Sequence, residues 1–129
     1  MTNNKQEKIA HLFSNNEGPD IQRVDISSTF ASVRLHVPNN LSWFDGHFPE
    51  QKILPGVVQV DWAGKLAKAL FADIGEFKQL SNIKFKSVVV PNTNMELELS
   101  YDMKKGSIKF HFFSQSESFS MGTIKFLTL

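Results

Sequence analysis

The sequence predicts an α+β domain, with one long helix packed against one face of an antiparallel sheet. Three features point there. Strand-like alternation comes first, as Val33, Leu35 and Val37 interleave with Ser32, Arg34 and His36. A single helical stripe follows, built from Ala63, Leu66, Ala67, Leu70, Phe71 and Ile74. After it the chain returns to strand patterns separated by turn signals, as in a meander. At 129 residues and 14.6 kDa the chain suits one domain spanning 1–129.

Taken in order, residues 1–20 are polar, with a short helical signal in Ile9, Leu12 and Phe13 at i, i+3 and i+4. Ile21 to Val37 reads as strands ending at Pro38. A loop beginning at Asn39-Asn40 runs to Pro55, stiffened by Pro49 and Pro55. Pro55 suits the first turn of a helix, where a missing N–H costs nothing. The segment Gly56-Val57-Val58-Gln59-Val60 is apolar almost all round, which predicts cover on more than one side. Gly75 is the expected helix stop. Four strands are then predicted: Ile83 to Val90, Met95 to Tyr101, Ile108 to Phe112, and Phe119 to Leu127.

Composition narrows the function classes. Fourteen Lys+Arg against thirteen Asp+Glu leave a net charge of +1, so no overall field draws the chain to nucleic acid or to a membrane surface. With no cysteine there are no disulfides, thiolate metal sites or thiol nucleophile. No apolar run approaches a membrane span, and the N-terminal residues lack the apolar core of a signal peptide. A cytoplasmic location is expected. No ligand cluster points to a metal, and no cofactor is expected. Twelve Phe fill a core or line an apolar pocket.

Chemistry concentrates between Gly46 and Asp61. In Gly46-His47-Phe48-Pro49 an imidazole sits in a turn that glycine permits and proline stiffens. A His with pKa near neutrality takes and returns protons in ordinary conditions. Leu54-Pro55-Gly56-Val57 opens the helix. Gly56 there is either a plain turn glycine or an N–H donor to an oxygen gathering negative charge at the positive helix end. Asp61 lies on the helix face opposite the apolar stripe, with Lys65 and Lys68. Its residue-level readings are a solvated i,i+4 pair with Lys65 and a proton-donating acid. His36 and His111 fall on the polar strand faces and are expected to be solvated. His11 reads as an ordinary surface or satisfied core residue.

These motifs resemble the active-site segment of the 3-hydroxyacyl-acyl-carrier-protein dehydratases of the FabA/FabZ type, which have the hotdog fold. Leu54 to Ala63 is similar to the ApeI-like branch associated with aryl polyene clusters. Phe85-Lys86-Ser87-Val88-Val89-Val90-Pro91 looks like the family's strand–Pro–turn–strand segment. The resemblance implies dehydration of a 3-hydroxyacyl thioester to a trans-2-enoyl thioester in fatty acid or polyene-type biosynthesis. It implies His47 as base, Asp61 as acid and Gly56 as oxyanion donor, in a loop that includes Phe48, Pro49, Pro55 and Val57. It also implies acyl carrier protein or coenzyme A as carrier, and a homodimer or higher oligomer with His and acid from neighbouring protomers. Lys65, Lys68, Lys84 and Lys86 are candidates for docking an acidic carrier protein. The departures from the pattern are Glu50-Gln51-Lys52 in place of Gly-x-Pro and Lys65 where many FabZ-like proteins carry Gln. An acyl thioesterase and a noncatalytic acyl-thioester-binding subunit remain the alternatives.

Overall fold

The computed structural model describes residues 9, 12–13, 16–45 and 52–128. Among them six strands form one antiparallel sheet: β1 (Asp20–Ile26), β2 (Phe30–His36), β3 (Ile74–Phe85), β4 (Asn94–Asp102), β5 (Ser107–Phe113) and β6 (Ser118–Thr128). Their order is β1-β2-β4-β5-β6-β3, and helix α1 (Gly56–Leu70) lies against one face. This is the expected α+β architecture, a curled sheet holding a helix in the hotdog manner.

Alternation in the strands decides which face does so. Ala31, Val33 and Leu35 of β2, Met95, Leu97 and Leu99 of β4, and Ile108, Phe110 and Phe112 of β5 are all buried. Their neighbours, among them Ser32, Arg34, Glu96, Glu98, Lys109 and His111, point the other way. His36 and His111 lie on that outer face as expected, but each is half-buried and bonded where solvation was expected. His36 Nδ1 is 2.7 Å from Asn94 Oδ1, and His111 Nε2 is 2.8 Å from Ser118 Oγ. Asp102 shapes the β4–β5 turn, its Oδ1 accepting the N–H groups of Lys104 and Lys105. Gly106 takes the left-handed conformation there, at φ 66°.

The helix buries Val58, Gln59, Trp62, Ala63, Leu66, Ala67 and Leu70. Gln59 is the polar member, and it is satisfied: buried Ser120 of β6 donates to Gln59 Oε1 at 2.6 Å. The helix ends at Leu70, and Gly75 is not its stop. Phe71 turns extended and packs its ring 5.3 Å from that of Tyr101, and Asp73 takes φ 62°. Asp tolerates this left-handed region, so the chain reverses at Asp73 and enters β3. Ile74 is buried as the first strand residue, not as helix.

The strand expected over Ile83 to Val90 is also displaced. Pairing runs from Ile74 to Phe85, with register shifts at Ile74/Phe77, Phe77/Gln79 and Ser81/Lys84. Such bulges break the period of two that marks a strand in sequence. Beyond Phe85 the ladder stops, with Lys86 and Ser87 N–H still reaching Phe119 O of β6, and Val89 makes only an isolated bridge to Leu54.

Residues before β1 strap the helix. Ile9 is buried, and Phe13 meets Trp62 edge-on at 6.2 Å. The Glu17 carbonyl accepts two indole N–H groups, from Trp43 at 2.7 Å and Trp62 at 3.1 Å. Asn16 O accepts both the N–H and the hydroxyl of Ser42. The strap thus joins the 3-10 turn Ser42–Phe44 to α1.

The Gln59–Ser120 bond yields a stability prediction. Ser120→Ala strips a buried acceptor of its donor and should cost about 1–3 kcal/mol in denaturant unfolding. Adding Gln59→Leu should recover much of that loss, because both polar partners are then gone.

Candidate active site

Helix α1 begins without a side-chain cap. Pro55 is its N-cap residue, and its carbonyl accepts Val58 N–H at 3.1 Å and Gln59 N–H at 3.4 Å. The N–H of Gly56, one residue into the helix, meets no acceptor among the described residues. An uncapped N-terminus carries partial positive charge and an open donor. The loop before it is pinned by Leu54, which is buried and donates its N–H to Val89 O at 2.8 Å. Two non-adjacent segments, 52–55 and 86–90, therefore run side by side at the helix start.

Burial of the stripe sets the phase of α1, and Asp61 emerges on its outer side. Asp61 Oδ2 lies 3.1 Å from Lys65 Nζ, and both side chains are half exposed. Lys65 Nζ also stands 5.8 Å from the centroid of the Phe13 ring. The i,i+4 pair predicted from spacing is present.

The same helix face walls a cavity of about 490 Å³. Val57, Asp61, Lys65 and Lys68 line it from α1, opposite Phe77, Leu80 and Phe85 of β3 and Phe126 of β6. Several of these are large apolar groups left open: Val57 is 75% exposed, Phe77 56% and Phe85 53%. The expected cover of the N-terminal half of α1 on several sides is thus not met among the described residues. Only the Val58–Gln59 side is buried, and among the described residues none packs outside Val57.

The structure brings Asp61, Val57, Lys65 and Lys68 to one cavity, and Pro55 and Gly56 precede its lining residue Val57 at the helix start. It separates the other two docking candidates from them. Lys84 borders a different depression, with Lys109 and His111, and Lys86 is exposed beyond the end of β3. His47, Phe48 and Pro49 lie outside the described residues, as does His11. Reading the sequence missed Phe77, Leu80 and Phe85 as site residues. Their signal was faint: apolar side chains at irregular spacing in a strand interrupted by bulges. No group of three metal-ligating side chains converges among the described residues, and no described helix is long and apolar enough to cross a membrane. A carboxyl on the wall of an apolar cavity, with an open backbone donor one residue before Val57 of that wall, suits proton transfer on an acyl compound whose carbonyl reaches the helix end.

Comparison with known proteins agrees with this chemistry. A family model described as ApeI dehydratase matches residues 23–123. A 3-hydroxyacyl-[acyl-carrier-protein] dehydratase FabZ from Allorhizobium ampelinum is 32% identical over 97 residues. That match takes in 68% of this chain and 63% of the relative, so the chain spans less than two thirds of the relative's length. Among solved structures, the dehydratase heterocomplex ApeI:P from Xenorhabdus doucetiae is similar, with TM-score 0.78 and 31% identity. The match covers 84% of this chain and 97% of that one. An uncharacterized protein from Erwinia carotovora subsp. atroseptica follows, with TM-score 0.75 and 29% identity over 87% of this chain and 98% of that one.

The Asp61–Lys65 pair generates a prediction. Because both groups are half exposed, Lys65→Ala should change unfolding free energy by about 0.5 kcal/mol or less. Denaturant titration checks this, and a larger loss would show that Lys65 serves the fold.

Proposed function

Because the chain belongs to the ApeI-like dehydratase family, we propose that it removes water from 3-hydroxyacyl thioesters to give trans-2-enoyl thioesters. The observation that carries this reading is Asp61 on the wall of an apolar cavity that reaches Val57, next to the uncapped start of α1. His47 takes the C2 proton, and the electron pair moves toward the thioester carbonyl. The Gly56 N–H and the positive helix end steady the oxygen as it gains charge. Asp61 gives its proton to the C3 hydroxyl, which leaves as water while the C2–C3 double bond forms. His47 then holds a proton and Asp61 has lost one, and exchange through solvent resets the pair. The cavity holds the acyl chain.

The substrate arrives on acyl carrier protein or coenzyme A, and the protein works in the cytoplasm, in fatty acid or polyene-type biosynthesis. A homodimer supplies composite sites. Asp61 faces away from its own core, and Val57, Phe77 and Phe85 leave an apolar face that a second copy would cover. The 3.1 Å Lys65–Asp61 pair favours one rival, an acyl-thioester-binding subunit without turnover.

His47→Ala and Asp61→Asn should each lower dehydration by about 10²-fold or more with the fold intact. A mixture of the two variants should regain part of the activity in heterodimers. Mass-spectrometric assay on 3-hydroxyacyl thioesters of several chain lengths reads both, and near-wild-type rates in either single variant would refute the assignment.

Carrier docking has its own test. Lys65 and Lys68 share the cavity with Asp61, which supports a basic rim there. Lys84 and Lys86 stand apart from it. Reversing charge at Lys68 should slow carrier-protein substrates at low salt and spare coenzyme A substrates, whereas reversal at Lys84 should change neither. Equal slowing of both would assign Lys68 to chemistry or stability.

A further inference from the structure

Phe85 has no part in the proton transfers, yet it stands where the reacting group would enter. Its ring lies against the backbone of Gly56: a methyl group at position 56 would sit 2.6 Å from Cε1 and 2.7 Å from Cζ. Glycine at 56 therefore admits the ring edge to the start of the helix, where a side chain would expel it. The ring is 53% exposed and lines the same cavity as Asp61. Its backbone is held, since β3 ends there in register with Ser120, and Lys86 N–H bonds Phe119 O at 2.8 Å. An aromatic edge thus stands beside the Gly56 backbone, whose N–H meets no acceptor among the described residues.

We infer that Phe85 recognises the sulfur of the thioester. The inference rests on the function proposed above, in which the acyl carbonyl oxygen lies on the Gly56 N–H. The carbonyl carbon is then held near the Phe85 ring edge, with its sulfur substituent, and not C2, assigned to the side that meets the ring. Divalent sulfur is large and polarizable and makes favourable contacts at aromatic edges, at separations of about 5 Å. Oxygen in the same place is smaller and less polarizable, and it gains less. Phe85 is accordingly a specificity residue that favours a thioester over an oxygen ester of the same acyl group.

The test uses octanoyl-pantetheine and its oxygen-ester counterpart, which lack a 3-hydroxyl and so cannot be dehydrated. Calorimetric titration should show the wild type binding the thioester about two- to tenfold more tightly. Phe85→Leu should bring the two affinities together by weakening the thioester more than the oxygen ester, with little change in Tm. Phe85→Tyr, which keeps the ring, should retain the preference. Equal affinity of the wild type for the two compounds, binding of neither, or a preference undiminished in Phe85→Leu would overturn the inference. Turnover of 3-hydroxyoctanoyl-pantetheine is measured alongside. A sulfur preference without dehydration would reject the proposed reaction and leave the role of Phe85 standing.

Discussion

The constraint on which the rest of the structure depends is that α1 must bury one stripe in the sheet. Trp62, Ala63, Leu66 and Ala67 have essentially no accessible surface. Burying such side chains is worth about 1.5–3 kcal/mol for each large one, and much of that is lost if the helix turns about its axis. The phase of the helix is therefore held tightly. Asp61, one residue before Trp62, has only the outer side available. Its position at the cavity is a by-product of packing on the other side of the helix.

Much of this was legible in the sequence because it depends on period. The strand alternation of β2, β4 and β5 and the stripe on α1 follow from residues a fixed number of positions apart. Asp61, Lys65 and Lys68 share a face for the same reason, and their grouping emerged as expected. The candidate acid could thus be placed by helical geometry alone. Its relation to Phe77, Leu80 and Phe85 could not, because those residues belong to a strand far along the chain.

Where the reading failed, the period had been broken. The bulges of β3 interrupt its alternation, so its first half looked like a polar connection and its boundaries slid toward Val90. At the end of α1, Ile74 fits the helical spacing by coincidence. Asp73 reverses the chain just before it, and an aspartate in the left-handed region carries no mark in sequence that a helical aspartate lacks. A similar limit applied to the outer-face histidines. Their face was correct, but partners such as Asn94 are distant in the chain and cannot be read from spacing.

The two indoles that meet at Glu17 bear on how this protein can drift over generations. Trp43 and Trp62 bond to a main-chain carbonyl, a group that every amino acid possesses. The glutamate side chain contributes nothing to that junction, so position 17 is free to change identity while the attachment of the strap persists. The burden of preservation falls on the donors, since among the common side chains only tryptophan offers an indole N–H. Variation at 17 among descendants would therefore say nothing about whether the strap is dispensable, and the record of its importance would be written at 43 and 62.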